Sequence, residues 1–463
     1  MKTKLGRPLP GRRVHFVGIG GVGMASLAEL LHALDYEISG SDLKPSRPVQ
    51  RLIGMGIPVT VGAHRAQAAA GADHVIVSAA VPADNVEVLA AQAEGAEVVS
   101  RARLLGRIFD AGRGVAVAGT HGKTTTSSML ARALGAAGFE PSFLIGGDIN
   151  DVGSGAGLGT SDLVVAEADE FSGSFLELSP ELAIVTNVDR DHLDFFEDQA
   201  AIDRAFLQFL DGRREGGTAV LCATDEGVDR IRARIAAPVV TYGFADADLV
   251  VDGGGEVVWH GRSVGRLRLS VPGRHNMLNA AGATAAAFAL GADPAAVLDG
   301  LRGFSGVDRR FSVRGEAAGV VVVDDYAHNP RKIAAAVDAA RSAYVGRRLV
   351  VLFQPHLYSR TLTLAEEFGA AFDGADVVVI TDVYGSREEP IPGVSGRLVS
   401  DVVRERGSVP TVVYIPRLEE AAGFVAGLTE RGDVVVTMGA GDVTTAAPRI
   451  LKLIETPKTA GAT

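Results

Sequence analysis

The chain of 463 residues is poor in cysteine and contains no long apolar segment. Its single cysteine, Cys222, excludes a disulfide bond within the chain and is typical of a protein from a reducing compartment. No run of about 18 uncharged apolar residues occurs, which excludes a membrane-spanning helix. The basic N-terminus runs directly into the glycines of HFVGIGG, so it does not have the apolar centre of a secretory signal. We therefore expect a cytoplasmic protein without membrane insertion.

Positive charge is also scarce. Forty-five Lys and Arg stand against 56 Asp and Glu, which gives a formal net charge of −11, and no basic tract occurs. Binding to nucleic acid depends on clustered Lys and Arg that release counterions from the phosphates, so we expect no nucleic-acid partner. An anionic small molecule would instead be held by helix N-termini and single basic side chains.

The chain is rich in hydrophobic residues (47%) and contains 57 glycines, as is typical of a globular protein with many tight turns. Short Val- and Ile-rich runs alternate with stretches of helical periodicity, which predicts parallel sheets covered by helices. Between residues 238 and 271 the pattern changes to short β runs with glycine turns, which predicts an antiparallel flank. We predict three α/β domains, comprising residues 1–108, 109–308 and 309–463.

The first glycine-rich stretch, HFVGIGGVGM, lies between a predicted strand and a predicted helix. Gly18, Gly20 and Gly23 fit the pattern G-x-G-x-x-G, and Asp42 ends the next predicted strand, where a dinucleotide-binding fold places its ribose-binding acid. The pattern is weak by itself, because any nucleotide diphosphate at a helix N-terminus satisfies it. A diphosphate other than NAD(P) is favoured, with NAD(P) and a purely structural turn as the alternatives.

The second glycine-rich stretch, GVAVAGTHGKTTT at residues 114–126, departs from the P-loop pattern, because Val117 stands where the first glycine would fall. The second half of the pattern is kept, with Gly122 and Lys123 followed by Thr124 at the start of a predicted helix. Backbone N–H groups and Lys123 can hold the β- and γ-phosphates, and the Thr124 hydroxyl can bind Mg²⁺. This stretch therefore predicts an ATP site.

Acidic side chains end the next two predicted strands, in VVAEADEF and VTNVDRDHLD. The carboxyl ends of parallel strands meet in the crevice that a phosphate loop opens. Carboxylate oxygens there are suited to Mg²⁺. The candidate residues are Glu167, Asp169, Glu170, Asn187, Asp189, Asp191 and His192.

Together, GTHGKTTT, AEADE, TNVDRDHLD, GRHNMLNA, DDYAHNP and FQPHLYSRT resemble the Mur ligase family of ATP-dependent amide-bond-forming enzymes. The resemblance covers essentially the whole chain and is closest to the branch that joins L-alanine to UDP-N-acetylmuramate in peptidoglycan precursor synthesis. It implies a Rossmann-like N-terminal domain for the UDP-sugar and a P-loop-type central ATPase domain with a mixed sheet. It further implies a Rossmann-like C-terminal domain with a parallel sheet for the amino acid, and ATP and Mg²⁺ as cofactors. We expect a monomer or a weak homodimer.

The resemblance also implies roles for single residues. For ATP binding it indicates Gly119, Thr120, His121, Gly122, Lys123, Thr124, Thr125, Asn279 and Arg310. As catalytic residues it indicates Lys123, Glu170, His192, Arg310 and His328. As metal ligands it indicates Thr124, Glu170 and His192.

Two substrate sites are implied in the same way. For the UDP-sugar the candidates are Gly18, Gly20, Gly21, Gly23, Ser41, Asp42, His64, Ser78 and Arg101. For the amino acid the candidates, at strand ends that include Asp325, are Tyr326, His328, His356 and Arg360. Arg360 is suited to pairing with the free carboxylate of the amino acid.

The sequence departs from the family pattern in several places. No lysine occurs between Lys123 and Lys332, which excludes the carbamylated lysine that several relatives use as a metal bridge and fits the alanine-adding branch. Phe171 stands where relatives often have Ser, Leu357 where many have Arg, and Asn329 where His is frequent. The second and third of these lie at the predicted amino-acid pocket, where L-alanine is favoured over glycine and L-serine.

Three other functions are alternatives to this prediction. A ligase that attaches a preformed peptide to the same sugar would share the fold and need a larger pocket. An NAD(P)-dependent oxidoreductase would leave Lys123, Glu170 and His192 without a role. A UDP-sugar-binding regulator that has lost catalysis is disfavoured by the intact Lys123–Thr124 pair.

Overall fold

Three β-sheets follow one another along the chain in the computed structural model. The structure describes residues 3–190, 195–236, 238–386 and 388–455, with the side chain of Ser172 left out. The first two sheets belong to one compact unit, Met1–Ser270 with Met277–Ser305, and the third belongs to a second, Val271–Asn276 with Gly306–Thr463. In the part of the chain that is described, no helix is long and apolar enough to cross a bilayer.

The first sheet has five parallel strands in the order β3-β2-β1-β4-β5, as predicted for a Rossmann-like domain. Its elements are β1 Arg13–Val17, α1 Val22–Ala33, β2 Glu37–Asp42, α2 Arg47–Gly54, β3 Val59–Val61, β4 His74–Val77, α3 Val86–Ala93, β5 Glu97–Ser100 and α4 Arg101–Asp110. The strand order reverses at the central, buried β1. A crevice for a ligand therefore opens at the carboxyl ends of β1 and β4.

The second sheet has ten strands in the order β15-β14-β13-β12-β11-β10-β6-β9-β7-β8 and is mixed, as predicted. Its strands are β6 Arg113–Ala118, β7 Ser142–Ile149, β8 Ser154–Gly157, β9 Leu163–Glu167, β10 Leu182–Val185, β11 Thr218–Cys222, β12 Val239–Gly243, β13 Leu249–Val251, β14 Glu256–Trp259 and β15 Arg262–Arg266. Its helices are α5 Lys123–Ala136, α6 Gln199–Asp211, α7 Glu226–Arg232, α8 Arg274–Ala289 and α9 Pro294–Arg302. The strand β6, which leads into the predicted ATP loop, lies between β10 and β9.

The predicted antiparallel flank at 238–271 is wrong in its first part. β12 pairs parallel with β11, and β13 pairs parallel with β12. The helix α7 lies between β11 and β12 and returns the chain to the same end of the sheet, which makes parallel pairing possible. Antiparallel pairing begins only with β14 and continues in β15.

The third sheet has six strands in the order β16-β17-β21-β18-β19-β20. Its elements are β16 Ser312–Ala317, β17 Val320–Asp325, α10 Pro330–Ala343, β18 Leu349–Phe353, α11 Tyr358–Thr363, α12 Ala365–Ala371, β19 Val377–Ile380, α13 Gly396–Arg406, β20 Thr411–Tyr414, α14 Leu418–Leu428, β21 Val434–Met438 and α15 Ala446–Glu455. The five strands from β17 onward are parallel, as predicted. The edge strand β16 is antiparallel, because Ala318 and Gly319, both with positive φ, form a two-residue hairpin turn.

The chain passes from the first sheet to the second between α4 and β6, and the third sheet begins at β16. These transitions lie close to the predicted boundaries at 108 and 308. The exact domain ranges remain predictions.

Candidate active site

The second glycine-rich stretch forms a tight loop between β6 and α5. Gly122 precedes α5 with φ of 81°, a conformation that glycine adopts without strain, and a Cβ there would overlap the side-chain amide of Asn279. Gly119 has φ of 129°, and a Cβ there would overlap the Thr186 hydroxyl. Close packing therefore excludes a side chain at Gly119 and Gly122, and the N-terminus of α5 presents backbone N–H groups where a phosphate can bind.

Lys123, the first residue of α5, forms a buried ion pair. Its Nζ donates to Glu170 Oε2 at 2.6 Å and to the Gly119 carbonyl at 2.7 Å, and Asp169 Oδ1 lies 3.9 Å away. The side chains of Lys123 and Glu170 are 11% and 2% exposed. Burial lowers the pKa of Lys123, but the carboxylates of Glu170, Asp169 and Glu167 raise it by more. The structure thus brings two predicted catalytic residues together, with the ammonium in its charged form.

The other side of the loop is held by residues that follow β10. The His121 N–H donates to Asn187 Oδ1 at 2.7 Å, and Asn187 Nδ2 donates to the His121 carbonyl at 2.9 Å. The Asp189 N–H donates to Thr120 Oγ1 at 2.9 Å, and His121 Nε2 lies 3.2 Å from Asp189 Oδ2. The acidic strand end after β10 therefore contacts the loop, as expected for neighbouring parallel strands.

Glu167, at the end of β9, orients the loop's threonine although the family pattern gave it no role. Thr124 Oγ1 donates to Glu167 Oε1 at 3.1 Å, and the Gly146 N–H donates to Glu167 Oε2 at 2.8 Å. Thr125 follows in the first turn of α5 and is half-buried. The sequence placed Glu167 in an acidic cluster, but only the pairing of β9 with β6 decides that this carboxylate reaches Thr124.

The predicted metal ligands are only partly covered by the structure. His192 lies outside the described residues, as does Asp191. Thr124 and Glu170 contribute a hydroxyl and a carboxylate, which are the oxygen donors that Mg²⁺ prefers, so the residues present fit this ion. Among the described side chains, no group of three or more His, Cys, Asp or Glu is arranged to hold a metal. The metal site therefore stays a prediction.

The first glycine-rich stretch connects β1 to α1 at the predicted crevice. Gly18 has φ of 76°, and the Gly20 N–H donates to Asp42 Oδ2 at 2.8 Å. Gly23 lies so close to Arg101 that a Cβ would stand 2.8 Å from the guanidinium Nη1. Five of the residues predicted for the UDP-sugar therefore lie in this loop or directly beside it.

Ser41 and His64 meet at a carboxylate that sequence reasoning missed. Glu87, in the first turn of α3, accepts a hydrogen bond from Ser41 Oγ at 2.6 Å and lies 3.0 Å from His64 Nδ1 and 3.1 Å from His15 Nε2. Nothing in the sequence around Glu87 distinguishes it from a glutamate on a helix surface. The two other predicted residues lie at the same end of the sheet, Gly21 at the N-cap of α1 and Ser78 directly after β4.

In the second unit, the four predicted amino-acid-binding residues form one cluster at the carboxyl ends of β17 and β18. The ring of His328 packs edge-on against Tyr326 with centroids 5.2 Å apart, and its centroid lies 6.3 Å from that of His356. Arg360 Nη1 lies 3.3 Å from both His356 Nδ1 and the His356 carbonyl. Tyr384, which was not predicted, stacks on His356 with centroids 5.8 Å apart.

Arg310 lies in the same unit. Its Cζ stands 5.2 Å from the centre of the Tyr326 ring, and that of Arg309 stands 4.9 Å from it. Arg309 and Phe311 have φ of 59° and 49°, which is uncommon for residues with a side chain. The Phe311 N–H donates to the half-buried Asp325 at 2.7 Å, which holds the turn. The contact of Arg310 with a γ-phosphate stays a prediction.

The three departures from the family pattern have structural counterparts. Leu357 precedes α11 with φ of 70°, a conformation rare for a branched side chain. Asn329 caps α10 by accepting a hydrogen bond from the Lys332 N–H at 3.0 Å. The Phe171 ring lies 6.2 Å from that of Phe195. Asn329 thus has a role at the start of a helix, and Leu357 occupies a strained position beside the amino-acid cluster.

Comparisons with known proteins match most of the chain to one family. Residues 13–113 match the Mur ligase family catalytic domain, residues 117–287 the Mur ligase middle domain, and residues 309–441 the Mur ligase glutamate ligase domain. The UDP-N-acetylmuramate–L-alanine ligase of Kineococcus radiotolerans is 47% identical over 96% of this chain and 96% of its own length. That of Solidesulfovibrio magneticus is 44% identical over 93% of this chain and 96% of its own. The crystal structure of the UDP-N-acetylmuramate–alanine ligase of Thermotoga maritima superposes with a TM-score of 0.80 at 29% identity, covering 96% of this chain and 99% of that one.

Proposed function

The chain belongs to the Mur ligase family, and we propose that it joins L-alanine to the carboxylate of UDP-N-acetylmuramate while ATP is converted to ADP and phosphate. The observation that carries the proposal is the buried Lys123–Glu170 pair at a strand–glycine loop–helix turn, in a chain that an alanine-adding relative matches over 96% of its length. The product is a precursor of peptidoglycan.

The chemistry requires activation, because a carboxylate is resonance-stabilised and would have to expel oxide. Transfer of the γ-phosphoryl group of ATP to a carboxylate oxygen gives ADP and an acyl phosphate. The amino nitrogen of L-alanine then attacks the acyl carbon, the C–O bond to phosphate breaks, and the nitrogen loses a proton to leave the amide. The protein contributes positioning and the neutralisation of negative charge in both steps.

Lys123 and the N-terminus of α5 would hold the β- and γ-phosphates. The phosphates would replace Glu170 as the partner of the Lys123 ammonium, which leaves the Glu170 carboxylate available to a metal ion. Mg²⁺, when bound, would neutralise charge on the transferred phosphoryl group, with Thr124, Glu170 and His192 as its protein ligands. Glu167 supports this arrangement, because it orients the Thr124 hydroxyl.

Two nucleotide loops are needed because two nucleotides take part. The loop after β6 would hold ATP, with Asn279 packed against it, and the loop after β1 would hold the diphosphate of the UDP-sugar. Support for the second assignment is the convergence of Asp42 and Arg101 on the first loop. The three domains at 1–108, 109–308 and 309–463 would then carry sugar, ATP and amino acid.

The cluster of Tyr326, His328, His356 and Arg360 would bind L-alanine. The Arg360 guanidinium would pair with the free carboxylate of the amino acid, since planar guanidinium groups bind carboxylates through two parallel hydrogen bonds. His328 is the proposed acceptor of the ammonium proton, and Arg310 the proposed contact to the γ-phosphate. We further propose a cytoplasmic location, where ATP is available, and a monomer or a weak homodimer.

The test is phosphate release from ATP in the presence of UDP-N-acetylmuramate and Mg²⁺, across a panel of free amino acids and the muramyl tripeptide, with product masses recorded. We expect turnover with L-alanine and small leakage to glycine and L-serine. Turnover with the tripeptide alone would assign the chain to peptide recycling instead. Absence of turnover with every acceptor would leave a UDP-sugar-binding protein and overturn the catalytic roles.

A further inference from the structure

Glu87 is a fully buried carboxylate with four hydrogen-bond donors around it. Its side chain has 0% exposure, and His15 beside it has 1%. Oε2 accepts from Ser41 Oγ at 2.6 Å and lies 3.1 Å from His15 Nε2. Oε1 accepts from the Arg65 N–H at 3.2 Å and lies 3.0 Å from His64 Nδ1. Both carboxylate oxygens are therefore saturated by groups from three separate chain segments.

The carboxylate determines which ring nitrogens carry hydrogen. An ionised carboxylate only accepts, so His15 Nε2 and His64 Nδ1 both bear a proton. The second nitrogen of His15, Nδ1, lies 2.9 Å from the Ser39 hydroxyl. His64 keeps Nε2 for a ligand, since no described residue forms a hydrogen bond with that atom, and its side chain is 21% exposed.

The same carboxylate is tied to the first glycine loop through Ser41. The Ser41 carbonyl accepts from the Gly18 N–H at 2.8 Å and from the Ile19 N–H at 2.9 Å. The Ser41 hydroxyl is bound to Glu87, and the next residue, Asp42, accepts from the Gly20 N–H. Glu87 therefore fixes both the residue that carries the glycine loop and the histidine beside it.

Fold stability alone does not explain a charge at this position. Burying a carboxylate removes it from water, and a well-packed apolar side chain of similar volume often stabilises a protein as much or more. A carboxylate is needed where hydroxyl and imidazole groups must be held in one orientation and one tautomer. The position of these groups, at the crevice where the strand order reverses, is the place where ligands bind in such sheets.

We propose that Glu87 is a positioning residue of the nucleoside diphosphate site, holding Ser41 and His64 so that His64 Nε2 faces the bound uridine diphosphate group. This inference rests on the proposed function of the first glycine loop. Glu87 would act through these two residues without touching the ligand itself.

The test measures binding of UDP by titration calorimetry in the full chain, with Glu87→Gln as the variant. The amide keeps the shape of the side chain but replaces one accepting oxygen by a donor. We expect UDP affinity to fall roughly ten- to hundredfold, because hydrogen bonds to a charged group are lost. The KM for the UDP-sugar should rise by a similar factor, while kcat and the KM for ATP stay within about twofold. Glu97→Gln, an exposed glutamate on β5 of the same sheet, is the matched control and should change none of these values.

Two further measurements separate the outcomes. In Glu87→Gln combined with His64→Asn, UDP affinity should be hardly lower than in His64→Asn alone if Glu87 acts largely through His64. Long-range ¹H–¹⁵N spectra of the wild-type protein should place a proton on His64 Nδ1, and a neutral ring protonated only at Nε2 would overturn the inference even if the variant fails to fold. Unchanged UDP binding in Glu87→Gln would also overturn it. Failure of the wild-type protein to bind UDP would instead overturn the proposed function of the loop.

Discussion

Lys123 Nζ and Glu170 Oε2 lie 2.6 Å apart, and both side chains are nearly excluded from solvent. In this arrangement each charge has its partner inside the protein, although the two residues lie on different elements, the start of α5 and the loop after β9. Removal of either charge takes from the other, which stays buried, its nearest charged partner. Stability and catalysis are therefore coupled at this pair.

Replacement of Lys123 by Ala should lower both activity and stability. Removing one partner of a buried ion pair costs about 3–5 kcal/mol of unfolding free energy, and loss of the phosphate-binding cation should reduce turnover by at least about 10³-fold. The double variant Lys123→Ala with Glu170→Gln should regain most of the stability but none of the turnover, as urea unfolding and phosphate release would reveal. UDP binding should be unchanged in both, and equal loss of UDP binding would contradict separate roles for the two loops.

Gly122→Ala should disrupt the ATP loop. A Cβ would force a left-handed residue into strain and overlap Asn279, which costs about 1–3 kcal/mol and should weaken ATP binding. Gly135→Ala is the matched control in the same helix, because a Cβ there meets no atom within 4 Å. It should stabilise the protein by up to about 1 kcal/mol, since alanine favours helix over glycine. Thermal unfolding and ATP titration of the two variants test the contrast.

Acid should weaken the first sheet through Glu87. Burial raises the pKa of this carboxyl, but hydrogen bonds from His15, Ser41, His64 and Arg65 lower it by more. The net result is a pKa of about 2, below the ordinary 4.5. A lowered pKa in the folded state stabilises the protein above pH 4.5, by on the order of 3 kcal/mol, and this contribution is lost as the pH falls from 4.5 towards 2. Between pH 6 and pH 3, the free energy of unfolding measured with urea should fall by about 2 kcal/mol more in the wild-type protein than in Glu87→Gln. Equal losses would refute the low pKa.

Arg51 should stabilise the contact between the first two sheets. Its Nε donates to Glu29 at 2.7 Å and its Nη1 donates to Asp148, from the second sheet, at 3.0 Å. Arg51→Ala should cost roughly 2–3 kcal/mol, because charge-assisted hydrogen bonds are lost and Glu29 is nearly buried. Arg302→Ala, which breaks an exposed pair with Asp299, should cost less than about 0.5 kcal/mol. Similar losses of unfolding free energy in both variants would show that Arg51 does not stabilise the contact between the two sheets.

Arg360→Lys should weaken recognition of the amino acid. A lysine keeps the charge but cannot form two parallel hydrogen bonds to a carboxylate. We expect the KM for L-alanine to rise roughly ten- to hundredfold, with the KM for ATP and for the UDP-sugar unchanged. Arg397→Lys, on α13 of the same unit, is the control. An unchanged KM for L-alanine would remove Arg360 from the pocket.

Features that depend on neighbouring residues could be predicted from the sequence. Both glycine loops follow a Val-rich strand and precede a helix, and the need for positive φ at Gly18 and Gly122 follows from the loop pattern itself. The strand directions in the flank at 238–271 could not be predicted, because short β runs with glycine turns have the same local pattern in parallel and antiparallel pairs. Only the position of α7 decides that β12 lies parallel to β11.

The sequence by itself thus determined the α/β class, the two nucleotide loops and the side chains at the strand ends, since all of these arise from local periodicity and turn chemistry. The tertiary structure alone decided that Glu87 meets Ser41 and His64, that Glu167 holds Thr124, and that Tyr384 stacks on His356. These contacts join residues far apart in the chain. They depend on the order in which strands pair, which is set by the packing of the whole sheet and its helices.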